Sequence, residues 1–198
     1  MQLTARNITV QTGSVRVLEG LSLRAGGDEW LAVVGANGSG RSTLAAVLSG
    51  LRKPKSGHVC LDNVDIWSGS SRNARQTIGL VMQRAEDQFL GATVFDDVAF
   101  GPRQLGLDSA EVEAASAAAL SMVGYHLEEV RDRSPLEFSG GQRRRLAVAG
   151  VLALNRRILV FDEPFAGLDA DARVQMKDLV VELLGQSVTV VTLKIGRA

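Results

Sequence analysis

Val33-Val34-Gly35-Ala36-Asn37-Gly38-Ser39-Gly40-Arg41-Ser42-Thr43 decides how the rest of this 198-residue chain is read. The stretch fits the phosphate-loop pattern G-x-x-x-x-G-K-[ST], except that Arg41 stands in the lysine place. Glycines let the backbone curl until successive N–H groups face phosphate oxygens, and the helix that follows adds the positive end of its dipole. The cation of such a loop reaches the outer phosphates, and its Ser/Thr hydroxyl holds Mg²⁺. The loop is therefore read as a cradle for ATP or GTP, with Gly35, Asn37, Gly38, Ser39, Gly40, Arg41, Ser42 and Thr43 as nucleotide-binding candidates. Its setting agrees. Leu31 to Val34 is a short apolar run suited to a buried parallel strand. Leu44, Val47, Leu48 and Leu51 recur at helical spacing, and Gly50 serves as a stop. The competing reading is a Gly/Ser-rich turn.

The bulk composition bounds the rest. The length suits one domain, or one domain with a subdomain. A hydrophobic fraction of 45% is ample for a packed core. Acidic and basic residues cancel at 22 each, so no basic excess points to nucleic acid. Cys60 is the only cysteine and excludes an internal disulfide; within His58-Val59-Cys60-Leu61 it reads as a small buried strand residue. No segment reaches the roughly 18 apolar residues of a membrane span, and the most apolar stretch, Leu146 to Leu154, is too short. The N-terminus lacks the basic-then-apolar order of a secretory signal. The expectation is a soluble, cytoplasmic chain.

Leu3 to Val10 and Val15 to Leu23 read as a strand pair around Gly13-Ser14. Gly57 to Leu61 and Ile78 to Met82 read as further strands, and Gly69 to Arg75 as a polar loop. Ser109 to Val123 is alanine-rich and helical, opened by Asp108 or Ser109 and stopped by Gly124. Arg131 to Pro135 reads as a linker and Ser139 to about Leu154 as a helix. Ile158 to Phe161 is a buried strand, Ala170 to Leu184 a helix, and Ser187 to Val191 a final strand. Strand–helix alternation around a helical middle implies an α/β fold with a parallel core and a helical insert over residues 84–155.

Ile158-Leu159-Val160-Phe161-Asp162-Glu163-Pro164 is an apolar strand ending in two acids. Ligands of parallel sheets lie beyond the carboxyl ends of the strands, which puts Asp162 near a Mg²⁺ held by Ser42 and makes Glu163 a candidate general base. A solvated acidic turn is the other reading. Phe138-Ser139-Gly140-Gly141-Gln142 precedes Arg143-Arg144-Arg145. Ser139 and Gln142 have capping-box spacing, while the two glycines leave a helix N-terminus open to an anion. The arginines, Arg144 at least, read as a solvated helix face. Gln83, after a strand, is either a surface glutamine or a contact to Mg²⁺ and the attacking water. Asp169, in Gly167-Leu168-Asp169, is either a helix cap or part of a site.

In this order, the glycine loop, Gln83, Ser139-Gly140-Gly141-Gln142, Asp162-Glu163 and Gly167-Leu168-Asp169 resemble the ATP-binding cassette (ABC) ATPases over nearly the whole chain. The resemblance implies a P-loop NTPase core of RecA type, an N-terminal antiparallel β subdomain and an inserted helical signature subdomain, all within one domain over 1–198. It further implies that the signature Ser139 to Gln142 caps ATP held by a partner's glycine loop, with Asp169 in the dimer loop. The helical subdomain and glutamine loop would couple to integral membrane subunits. Gln83-Arg84-Ala85-Glu86-Asp87-Gln88 and Thr93-Val94-Phe95-Asp96-Asp97-Val98-Ala99-Phe100-Gly101-Pro102 are similar to the energy-coupling-factor importers, which take up vitamins, cobalt or nickel. Against that pattern, Arg41 replaces a lysine that arginine does not match in shape. Leu193, in Val190-Val191-Thr192-Leu193-Lys194, occupies the place of a switch histidine. Thr9 to Ser14 offers no aromatic for adenine, and Trp30 reads as packing. The ending Lys194-Ile195-Gly196-Arg197-Ala198 has no familiar pattern and looks like that of a truncated or frameshifted product.

The leading expectation is an ATP-binding importer subunit of energy-coupling-factor type, peripheral on the inner face of the cell membrane. It pairs with a second ABC ATPase protomer and binds ATP and Mg²⁺ without nucleic acid. Glu163 and Gln83 are the catalytic candidates; Ser42, Asp162 and Gln83 are the metal ligands. Losing a polar catalytic group costs about 10²–10⁴-fold in rate, so hydrolysis is expected to be slow. The alternatives are a non-catalytic partner that completes an intact ATPase's site, a soluble non-transport ABC ATPase, and an inactive remnant.

Overall fold

The computed structural model describes residues 1–68, 72–84 and 89–196. The readings that fall on 69–71, on 85–88 within the glutamine-containing match, and on 197–198 lie outside the described residues. Along the chain the strands are β1 (Gln2–Thr12), β2 (Val15–Gly26), β3 (Trp30–Gly35), β4 (Ser56–Leu61), β5 (Val64–Asp65), β6 (Ile78–Val81), β7 (Ile158–Asp162) and β8 (Thr189–Ile195). The helices are α1 (Arg41–Leu48), α2 (Arg72–Arg75), α3 (Val94–Gln104), α4 (Ser109–Met122), α5 (Leu127–Val130), α6 (Gly140–Leu152) and α7 (Ala170–Gly185). They form two compact units. One comprises Met1–Leu80, Arg156–Pro164 and Val180–Ala198; the other comprises Val81–Asn155 and Phe165–Leu179.

The first unit holds an antiparallel sheet of order β2-β1-β4-β5. Thr12 pairs with Val15, so Gly13-Ser14 is a two-residue hairpin turn, with Gly13 at φ 58°. The second sheet has the order β3-β8-β7-β6, with β8 parallel to both β3 and β7. All five residues of β7 are buried, as expected of an interior parallel strand with no polar alternation. Leu3, Ile8, Leu18, Leu44, Leu48, Val160, Val191 and Leu193 share one core cluster, which joins β1, β2, α1, β7 and β8. Trp30 packs as expected, its indole N–H donating to Thr192 Oγ1 at 3.0 Å. Cys60 is half-buried in β4; burial, then the Asp65 carboxylate, push its thiol up, which suits an unreactive residue. β3 is an edge strand without a charged residue, and its Val34 is 54% exposed.

The second unit is helical and heavily capped. Thr93 Oγ1 accepts from Asp96 N at 3.0 Å to start α3. Asp108 and Glu111 form a capping box at α4, which settles the sequence's choice between Asp108 and Ser109. Val94, Val98, Val112, Leu120, Leu146 and Val148 are buried within this unit. Arg131 lies 4.2 Å over the Phe95 ring and Arg133 4.2 Å over Phe138.

Several sequence expectations are corrected. Residues 94–104 form a separate helix that the expected helical insert did not resolve, because Gly101 and Pro102 mask its period; Pro102 lies in its last turn. The linker at Arg131 to Pro135 follows α5 directly and leads into a 3-10 turn at Pro135–Glu137 capped by Ser134. The final strand begins two residues later than read and continues to Ile195, because it pairs with β3 as far as Gly35. No helix among the described residues is long and apolar enough to cross a membrane.

Phe161 is fully buried at the centre of the parallel sheet. Phe161→Ala is expected to lower unfolding free energy by about 3–5 kcal/mol in urea titrations followed by circular dichroism.

Candidate functional site

The glycine loop follows β3 and opens α1. Gly40 is the N-cap of α1 at φ 85°, and a Cβ there would lie 2.9 Å from atoms of Val17 and Leu18. Both the backbone angle and the close approach to β2 demand glycine. Gly38 has φ 76° with open space around it. Ser39 N donates to Ala36 O at 3.1 Å, closing the curl. No side chain caps the N-terminus of α1, and its first turn holds no acid. Its leading N–H groups and the positive dipole end therefore face a pocket of about 280 Å³ lined by Val17, Gly38, Ser39, Gly40, Arg41, Ser42 and Thr43. Val17 is a contributor the sequence reading missed; only the β2 fold-back brings it to the loop.

Arg41 is the first residue of α1, yet its side chain is 9% exposed. Its Nη2 donates to Glu163 Oε1 at 2.7 Å. Nη1 donates to the carbonyls of Gly35 and Ala36. Asn37 Oδ1 and Ser39 Oγ stand at the outer hydrogen-bond limit, 3.5 Å each. The planar fork makes this bridging possible, since a lysine has a single nitrogen to offer. Glu163 is likewise 9% exposed, and it sits at φ 53°, a left-handed conformation that costs a non-glycine residue of order 1–3 kcal/mol. Glu163 N donates to Leu193 O at 2.8 Å, which ties the acid to β8.

Asp162 ends β7 beside Leu193 and is 7% exposed. Its Oδ1 is buried and has no hydrogen-bond partner among the described residues. An orphaned carboxylate oxygen beyond the end of a parallel strand has the chemistry of a hard-cation ligand, so the donor set fits Mg²⁺. Leu193 is fully buried in the core cluster and presents no polar group.

The other candidates lie in the second unit. Ser139 caps α6, and the box with Gln142 is complete: Ser139 N donates to Gln142 Oε1 at 2.9 Å, and Gln142 N to Ser139 Oγ at 3.4 Å. A Cβ on Gly141 would lie 3.4 Å from Ala172 Cβ, so small residues let α6 and α7 approach. Asp169 Oδ1 accepts from Ala172 N at 2.8 Å and caps α7. Ser139, Gly141, Gln142, Arg145, Asp169 and Gln175 are among the residues around a pocket of about 220 Å³. Arg144 corrects the reading of a solvated face. It is half-buried, donating from Nη1 to Ala166 O and from Nη2 to Gln83 O, each at 2.6 Å. Two loop carbonyls that no helix or strand satisfies are thereby paired. The Gln83 side chain is exposed.

A family model described as ABC transporter matches residues 18–166. The chain is 44% identical over 178 residues to an energy-coupling factor transporter ATP-binding protein, EcfA2, of Symbiobacterium thermophilum, covering 89% of this chain and 62% of that protein. It is 42% identical over 183 residues to a cobalt import ATP-binding protein, CbiO, of Rhodobacter capsulatus, covering 90% of this chain and 64% of that one. The chain thus spans less than two thirds of these relatives. Among solved structures it is similar to cbiO1 of Clostridium perfringens, described as part of the ABC transporter complex cbiONQ. The TM-score is 0.86 at 31% identity, with 98% of this chain and 78% of that chain covered. The α/β fold is accordingly that of an ABC cassette.

The orphaned oxygen of Asp162 yields a test. Asp162→Asn replaces a buried carboxylate whose Oδ1 is unpartnered and is expected to raise the ligand-free melting temperature by about 2–4 °C. It should also erase any extra stabilisation that Mg²⁺ adds to a bound nucleotide, read by differential scanning fluorimetry with and without EDTA.

Proposed function

The chain belongs to the ABC transporter family, and on that footing we propose that it is the ATP-binding subunit of an energy-coupling-factor importer for a vitamin, cobalt or nickel. It would bind ATP and hydrolyse it slowly while docked on integral membrane subunits at the inner face of the membrane. The observation that carries the reading is the convergence of the phosphate loop and the acid pair in one unit, joined by the Arg41–Glu163 contact.

In this reading, the leading backbone N–H groups of α1 and the helix dipole receive the phosphates, which the uncapped, acid-free N-terminus supports. Gly35, Asn37, Gly38, Ser39, Gly40, Arg41, Ser42 and Thr43 line the nucleotide. Ser42 and Asp162, with Gln83, would hold Mg²⁺, whose charge offsets that of the phosphate oxygens. Glu163 orients water for in-line attack and takes its proton. Ser139, Gly140, Gly141 and Gln142 address the nucleotide of a second protomer, and Asp169 belongs to the loop beside it. Residues 84–155 serve as the helical subdomain within a single cassette over 1–198. A buried leucine at 193 supplies no hydrogen bond to a phosphate or water, which favours slow turnover.

A second reading has one observation of its own. The signature end is fully capped, while the loop's own cation is engaged by Glu163. That division suits a partner that completes another ATPase's site more than it is active itself.

Phosphate release from Mg-ATP decides between them. Weak turnover by the purified chain that falls about 10²-fold or more in Glu163→Gln supports the first reading. No turnover alone, together with stimulation of a second, histidine-bearing ATPase that Ser139→Arg abolishes, supports the second. Absence of any Mg-ATP binding by the chain alone removes the first reading, and absence of both binding and stimulation removes the two together.

A further inference from the structure

The Arg41 side chain has committed most of its donors before any nucleotide is considered. Nη2 is on Glu163 Oε1 at 2.7 Å, and Nη1 is on the carbonyls of Gly35 and Ala36. The second Nη2 N–H has only Asn37 Oδ1, at 3.5 Å, and Nε is buried with no partner among the described residues. A cation at the first position of a helix lies against the positive end of the dipole, and the first turn of α1 has no acid to offset it. The offsetting anion comes from 122 positions away, on a residue held in a left-handed backbone conformation. Glu163 thus supplies to the loop the negative charge that a phosphate would supply. The Nη2 N–H directed at Glu163 Oε1 cannot point at a phosphate oxygen at the same time.

We propose that Arg41 is an autoinhibitory latch: it must let go of Glu163 before the loop takes a triphosphate, so nucleotide entry and release of the acid are one event. The proposal rests on the loop being the nucleotide site of this chain. While latched, Glu163 Oε1 is directed at the guanidinium and is withheld from water. When phosphate oxygens replace it as the arginine's partner, Oε1 is released from the guanidinium and can turn to water. The arginine that weakens the loop as a binding site therefore also ties the acid's availability to occupancy. A lysine cannot reproduce this, since its single nitrogen cannot hold both the Gly35 and Ala36 carbonyls and Glu163 in one planar arrangement.

The test is a double-mutant cycle on binding. Affinity for a fluorescent ATP analogue with Mg²⁺ is measured for the unmodified chain, Arg41→Lys, Glu163→Gln and the double variant. Ligand-free melting temperatures are recorded for the same four proteins. Removing the carboxylate weakens simple charge repulsion in either background. The latch adds a gain of about tenfold in affinity that appears only where Arg41 is present. In that background the ligand-free melting temperature should also fall, because a buried guanidinium loses its partner. An equal affinity gain in both backgrounds overturns the latch and leaves the nucleotide-site reading intact. No binding by any of the four removes the nucleotide-site reading itself. Should Glu163→Gln not fold, Glu163→Asp, which withdraws the charge by one methylene, takes its place in the same cycle with the same two criteria.

Discussion

Strand β8 is the constraint on which the candidate site depends. It is parallel to β3 on one side and to β7 on the other, and Leu193 is level with Val33 and with Asp162 at once. That shared register brings the end of the phosphate-loop strand, at Gly35, within two residues of the level at which the acidic strand ends. Two further hydrogen bonds fix the exits: Glu163 N to Leu193 O at 2.8 Å and Gly196 N to Gly35 O at 3.1 Å. A slip of one residue would turn side chains to the opposite face of the sheet and separate groups that lie more than a hundred positions apart in sequence. β7 is buried along its whole length, so burial of apolar residues does not choose this register; the ladder with β8 and the Glu163 N to Leu193 O bond hold it.

Within the loop, Arg41 has a consequence beyond charge. A lysine there would present a mobile ammonium to solvent and ligand. The guanidinium is instead drawn inward, where it reduces the exposure of itself and Glu163 alike to 9%. Breaking a buried ion pair by deleting one partner costs about 3–5 kcal/mol, while the intact pair adds little net stability. The pair is therefore better understood as specifying how the loop and acid sit than as a source of stability. The backbone at Glu163, at φ 53°, is strained where chemistry is proposed.

What was legible in the sequence follows from how local each signal is. The loop glycine at the start of α1 and the Ser139–Gln142 box are written within a few residues and present as read, and of the two cap candidates Asp108 and Ser109 it is Asp108 that caps α4. Strand β7 was legible because a continuous apolar run with two terminal acids has few other uses. Helix α3 was hidden because its sequence holds a glycine and a proline, and only the Thr93 cap marks its start. The long reach of arginine was also hidden. Arg41 meets a residue 122 positions on, and Arg144 pairs carbonyls 61 positions before and 22 after it. Neither partner is encoded by spacing, since both depend on how loops from different parts of the chain come to rest. Val17 belongs to the same class.

The edge position of β3 has its own consequence. Six residues, Trp30 to Gly35, offer an outer row of amides and carbonyls with no lysine, glutamate or proline among them to discourage a neighbour. An edge of this kind is a template on which another extended segment can pair, whatever the balance of the overall charge.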